Sequence, residues 1–90
     1  MKQGSIVNKL SVMIYEDEYV IKGDADVKHI ESVAACVDKQ MLQIAERNPL
    51  LSAKQLAVLV AINVTDELMR LREDYNELVK LLDDTTGGNK

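Results

Sequence analysis

From Ser52 to Thr86 no glycine or proline interrupts the chain, and this run constrains the fold more than any other feature. Ser52-Ala53-Lys54-Gln55 opens it with the S-x-x-Q pattern of a capping box, in which a hydroxyl and an amide side chain satisfy free backbone N–H groups. The pattern predicts a helix from about residue 53 to about 83, roughly 45 Å long at 1.5 Å per residue. Its first part, Leu56 to Ile62, is apolar on every side, so full burial within a head is expected. After Asn63 the apolar residues thin to Val64, Leu68, Leu71, Tyr75, Leu78 and Leu82, in alternating steps of four and three. With Leu68, Tyr75 and Leu82 at position a, Val64, Leu71 and Leu78 fall at d and Ala61 at the preceding a. This is a heptad seam of about three repeats. The chain's own head supplies little to cover Leu71 to Leu82, so a coiled coil with another chain is expected.

The charges beside the seam bear on its orientation. Position g carries Glu67 and Asp74, and position e carries Arg72 and Val79. In a parallel pair Glu67 meets Arg72 of the partner subunit; an antiparallel pair sets g against g and e against e. The preference is for parallel, although one rim pair is worth only about 0.5 kcal/mol.

Ahead of the long helix, Leu10, Val12 and Ile14 alternate with Lys9, Ser11 and Met13. Period two marks a strand with one apolar face. Glu16-Asp17-Glu18 breaks the pattern, Tyr19-Val20-Ile21-Lys22 resumes it, and Gly23 ends it. A β-hairpin over about 6–22 is expected, with strands near 6–15 and 18–22. Its turn has no Gly or Asn where positive φ would be wanted. Asp24 or Asp26 caps the next helix, over about 25–47. Val27, Ile30, Ala34, Val37, Met41 and Ile44 form its apolar stripe, broadened by Val33 and Leu42. Asn48-Pro49 ends it, since a proline excludes the preceding residue from the α region. Asp83 and Asp84 oppose the helix dipole at the C-terminal end, and 85–90 is expected to be a disordered tail.

The class is therefore α+β but predominantly helical. A head over 1–63 combines a small hairpin with a helix and the start of the long helix. The coiled-coil part of that helix spans 64–84. With no Phe or Trp and only Tyr15, Tyr19 and Tyr75, the core must be aliphatic. Hydrophobic residues make up 47% of the chain, enough for folding.

The net charge of −4 and interspersed signs argue against nucleic acid, which requires a positive patch, and against an anionic membrane surface. The apolar run Leu56 to Ile62 is far short of the roughly 20 residues needed to span a bilayer. Met1-Lys2-Gln3-Gly4-Ser5 leads into strand-like sequence rather than a signal peptide. The single cysteine, Cys36, has no internal disulfide partner, consistent with a reducing cytoplasm.

Catalytic chemistry has no candidate. His29, the only histidine, has no nucleophile or carboxylate nominated to work with it. No Cys or His pair has metal-ligand spacing, and Gly4, Gly23, Gly87 and Gly88 form no phosphate loop. Asp66-Glu67 and Glu73-Asp74 read as solvated helix faces. Catalytic residues, metal and cofactor are all expected to be absent.

The order Leu10-Ser-Val-Met-Ile-Tyr15, Tyr19-Val-Ile-Lys-Gly23, Val33-Ala-Ala, Val37-Asp-Lys-Gln-Met41, Asn48-Pro-Leu-Leu51, Leu56-Ala-Val-Leu-Val-Ala-Ile-Asn63 and Asp66-Glu-Leu68 resembles the ZapA family, in the short form of Gram-positive bacteria, over roughly residues 8–80. One departure is at the hairpin turn, where the family usually has glycine and Glu16 stands here. The resemblance implies a non-enzymatic scaffold of bacterial cell division, cytoplasmic and placed at the division site. It implies homodimers that pair into homotetramers through the coiled coils, and a partner, FtsZ, whose filaments the family cross-links. The seam residues Val64, Leu68, Leu71, Tyr75, Leu78 and Leu82 become the oligomer interface. Lys39, Arg47 and Lys54 are head cations that would suit an acidic filament. Without the resemblance, a small acidic dimeric chaperone or adaptor is the alternative; a DNA-binding regulator is opposed by Asp66, Glu67, Glu73 and Asp74.

Overall fold

A computed structural model describes residues 7–87, with side chains through residue 84. The expected strand position 6, the preceding residues 1–5 and the tail residues 88–90 lie outside the described residues. Strand β1 (Asn8–Ile14) and strand β2 (Asp17–Gly23) are followed by helix α1 (Val27–Arg47) and helix α2 (Ala53–Gly87). Contacts divide the chain into two units between Val60 and Ala61.

The strands pair antiparallel in the register Asn8↔Gly23 through Ile14↔Asp17. That register leaves a two-residue turn, Tyr15-Glu16, with φ of 49° and 71°. Both signs are those of a type I′ turn, whose twist matches the strands it joins. The turn is thus one residue earlier than the Glu16-Asp17 gap between the expected strands: Tyr15 leaves β1 for the turn, and Asp17 joins β2. Left-handed backbone costs a residue with a Cβ roughly 1–2 kcal/mol, so this turn needs support from elsewhere. Period two holds: Val12 is 7% exposed, Leu10 and Ile14 are half-buried, and Lys9, Ser11 and Met13 point outward. On the outer face the Ser11 hydroxyl donates to a Glu18 carboxylate oxygen across the pair. Helix α1 packs on β1, which gives the hairpin the support that two strands alone lack.

Helix α1 starts at N-cap Asp26, whose Oδ1 accepts from the His29 backbone N–H at 3.0 Å. It ends at Asn48, whose N–H reaches the Ile44 carbonyl at 2.9 Å. Ile30, Ala34 and Met41 are its buried residues; Val37 and Ile44 are half-buried, and Val27, Val33 and Leu42 are exposed. The capping box closes as expected. The Gln55 N–H donates to Ser52 Oγ at 3.1 Å, and the Ser52 N–H donates to Gln55 Oε1 at 3.0 Å.

The core of the first unit is Met41, Leu56 and Val60, with Ile14, Tyr15, Val37, Ile44, Ala45 and Leu51 packed against it. The expectation that Leu56–Ile62 is buried all round is not met. Leu56 is fully buried and Val60 nearly so, while Val58, Leu59 and Ile62 remain exposed. Within the first unit, the hairpin and α1 cover the side of the helix that carries Leu56 and Val60. At the other end α2 continues past Asp83 and Asp84 to Gly87, so 85–87 are helical. The helix runs on through the two threonines to the first glycine, the residue type that most often closes a helix.

Candidate interaction surfaces

In the second unit, α2 from Ala61 onward shows exposed side chains at every position through Asp84. The large apolar ones are therefore decisive. Val64, Leu68, Leu71, Tyr75, Leu78 and Leu82 are all exposed, Leu71 and Tyr75 by 65% and 66%. Helical periodicity places the six on one stripe, and Leu71, Arg72, Tyr75 and Asn76 border a shallow apolar recess along it. On the opposite side, at heptad positions c and f, Arg70 Nε bonds Asp66 Oδ2 at 2.9 Å. That i,i+4 pair is solvent-exposed and contributes at most about 0.5 kcal/mol. Each Leu of the stripe, once covered, contributes about 1.5–3 kcal/mol. Apolar burial thus outweighs charge in any association through this helix. Met69 and Val79 are also exposed apolar residues of α2, flanking the stripe at b and e.

In the first unit the three cations are all exposed, and among the described residues none forms an ion pair. Lys39 and Arg47 lie on α1 and Lys54 in the first turn of α2. Lys54 borders an apolar cleft of about 450 Å³ that Tyr15, Tyr19, Ile21, Val37 and Met41 help to line. Lys39 and Arg47 are not among the residues that line that cleft.

The sequence reading missed Asp38. Its Oδ1 accepts the Tyr15 backbone N–H at 2.7 Å, joining α1 to the hairpin turn. A signal was present: Asp38 stands four residues after buried Ala34 and three before buried Met41, an inward position for helical spacing. A half-buried carboxylate there calls for a donor. Asn8 was missed likewise; its Nδ2 donates to the Ala25 carbonyl at 2.7 Å and ties the start of β1 to the loop before α1.

No group of three His, Cys, Asp or Glu that could hold a metal occurs among the described residues. His29 and Cys36 are exposed. No helix of the described residues is long and apolar enough to cross a membrane.

A hairpin laid on one helix, followed by a long helix with an exposed apolar stripe at heptad spacing, defines a class of small α+β proteins that are mostly helical. Known proteins narrow that class. A family profile described as "Cell division protein ZapA" matches residues 10–86. The chain is 42% identical over 80 residues to the cell division protein ZapA of Geobacillus thermodenitrificans (strain NG80-2), covering 89% of this chain and 88% of that one. It is 39% identical over 87 residues to the namesake protein of Geobacillus kaustophilus (strain HTA426), covering 97% and 96%. A solved structure described as a ZapA mutant dimer from Geobacillus stearothermophilus matches with a TM-score of 0.72 at 36% identity, over 92% of this chain and 95% of that one. The chain belongs to the ZapA family of cell division proteins.

Proposed function

We propose that this protein is a non-enzymatic division scaffold that binds FtsZ filaments and cross-links or bundles them, stabilising the cytokinetic ring. The observation that carries the reading is the exposed stripe Val64–Leu82 on α2 in a chain of the ZapA family. Residues 64–84 act as a coiled coil, with Val64, Leu68, Leu71, Tyr75, Leu78 and Leu82 as its knobs. Chains pair first into dimers, the state in which a mutant of the Geobacillus stearothermophilus relative is described, and dimers pair into tetramers. Each particle then carries several heads. Weak sites joined in one particle gain by effective concentration, so filaments are held together without any bond being made or broken. Lys39, Arg47 and Lys54, exposed and unpaired by other charges, favour an acidic filament surface. The place of action is the cytoplasm, at the division site.

The test is co-sedimentation with FtsZ assembled in GTP. The protein is expected to pellet with the polymers, to raise their light scattering and to hydrolyse no GTP itself. Absence of both pelleting and scattering change at low salt would remove FtsZ as the partner and leave a chaperone or adaptor role in its place.

A further inference from the structure

We propose that Asp38 is a latch that holds the glycine-free hairpin turn in its left-handed form, so that α1 rather than the turn's own residues fixes the tip of the hairpin. Tyr15 and Glu16 both take positive φ, a region in which side chains with a Cβ are disfavoured. Neither is the Asn, Asp or Gly that closes such turns by local preference. The conformation is therefore imposed from outside the turn. Two anchors act on the same residue. The Tyr15 N–H donates to Asp38 Oδ1 at 2.7 Å, and the Tyr15 side chain packs on the core cluster of Met41, Leu56 and Val60. The hydrogen bond fixes the backbone orientation that ring packing alone leaves free. A carboxylate acceptor strengthens it relative to a neutral one, and the partial burial of both residues shields it from competing water. Asp38 is thus a positioning residue acting through Tyr15, and what it positions is the strand exchange at Ile14↔Asp17 and the projecting Glu16.

The latch is tested in the full-length, isotope-labelled chain by the backbone chemical shifts of Tyr15 and Glu16, which report φ, and by the exchange rate of the Tyr15 amide. Asp38→Leu removes the acceptor at similar volume; it is expected to abolish the positive-φ shifts and to speed Tyr15 exchange by about tenfold or more, as losing a hydrogen bond to a charged acceptor implies. Asp38→Asn keeps an acceptor oxygen and is expected to keep the turn. Asp38→Leu combined with Glu16→Gly is expected to recover positive φ at residue 16, because glycine adopts it without help. This double variant also decides the case where Asp38→Leu alone fails to fold: recovery of the fold supports the latch, and no recovery places the role of Asp38 elsewhere and overturns it. Left-handed shifts and slow Tyr15 exchange retained in Asp38→Leu would overturn it directly, as would loss of the turn in Asp38→Asn.

Discussion

Two residues of the first unit show how burial, rather than hydrophobicity, decides what a side chain contributes. Leu56 is 0% exposed and Leu50 is 96% exposed, although both are leucines near the start of α2. Leu56→Ala removes methyl groups from between Met41 and Val60 and is expected to cost about 2–5 kcal/mol. Leu50→Ala is expected to stay within about 0.5 kcal/mol of the native protein. Chemical denaturation of the two variants checks the contrast. The hairpin offers a second pair. Val12→Asp places a charge at a buried position with no partner and should lower the melting temperature sharply. Met13→Lys, on the outer face and opposite Glu18, should be close to neutral. Equal losses in thermal melts would mean that the outer face, with Met13 and Val20 exposed here, is covered by another chain. Position 12 was legible in the sequence because alternation is a short-range rule. Asp38 was not read from the sequence, because its donor lies on another element and helical spacing alone does not say which backbone group a carboxylate will meet.

Elements were more legible than their surroundings. The cap at Ser52 and the stop at Asn48 were readable because each depends on residues within one turn, while the first cap stayed open between Asp24 and Asp26 until the structure placed it at Asp26. Ser52→Ala breaks the Oγ acceptor of the capping box and is expected to cost about 1 kcal/mol, measured by denaturation midpoint. What the sequence concealed was where each apolar face finds its cover. Val58, Leu59 and Ile62 looked like core and are exposed, because burial depends on how many elements surround a helix and not on how apolar it is. The turn was misplaced by one residue for a related reason: Tyr15 is an unfavourable turn residue by local preference, and contacts from α1 and the core override that preference. The apolar spacing along α2 is legible because a heptad is a purely local period, and its use as a seam between chains is a proposal. Its a and d positions also permit a direct test of association. Leu71→Glu with Leu78→Glu should bury charge in the proposed interface, and sedimentation equilibrium should report a smaller particle. An unchanged mass would show that the chain associates through other surfaces.

At the scale of the whole molecule, the proposed role depends on multiplicity: a head that binds weakly would become a cross-linker only when several copies are joined. Binding to an acidic filament through exposed cations should also weaken as salt rises, since the Debye length is only about 8 Å at physiological ionic strength. Co-sedimentation across a salt series would show the decline, and a flat response would point to apolar contacts instead. Family and fold were open to the sequence; the residues proposed to face a filament were not, because an exposed cation carries no local pattern that names its partner. The most direct measurement compares the native protein with the Leu71→Glu/Leu78→Glu variant for bundling of GTP-assembled FtsZ, followed together by light scattering and low-speed pelleting. The native protein is predicted to bundle the filaments, and the variant to lose bundling while its heads still bind at high-speed sedimentation. Equal bundling by the two proteins would contradict cross-linking through the α2 seam.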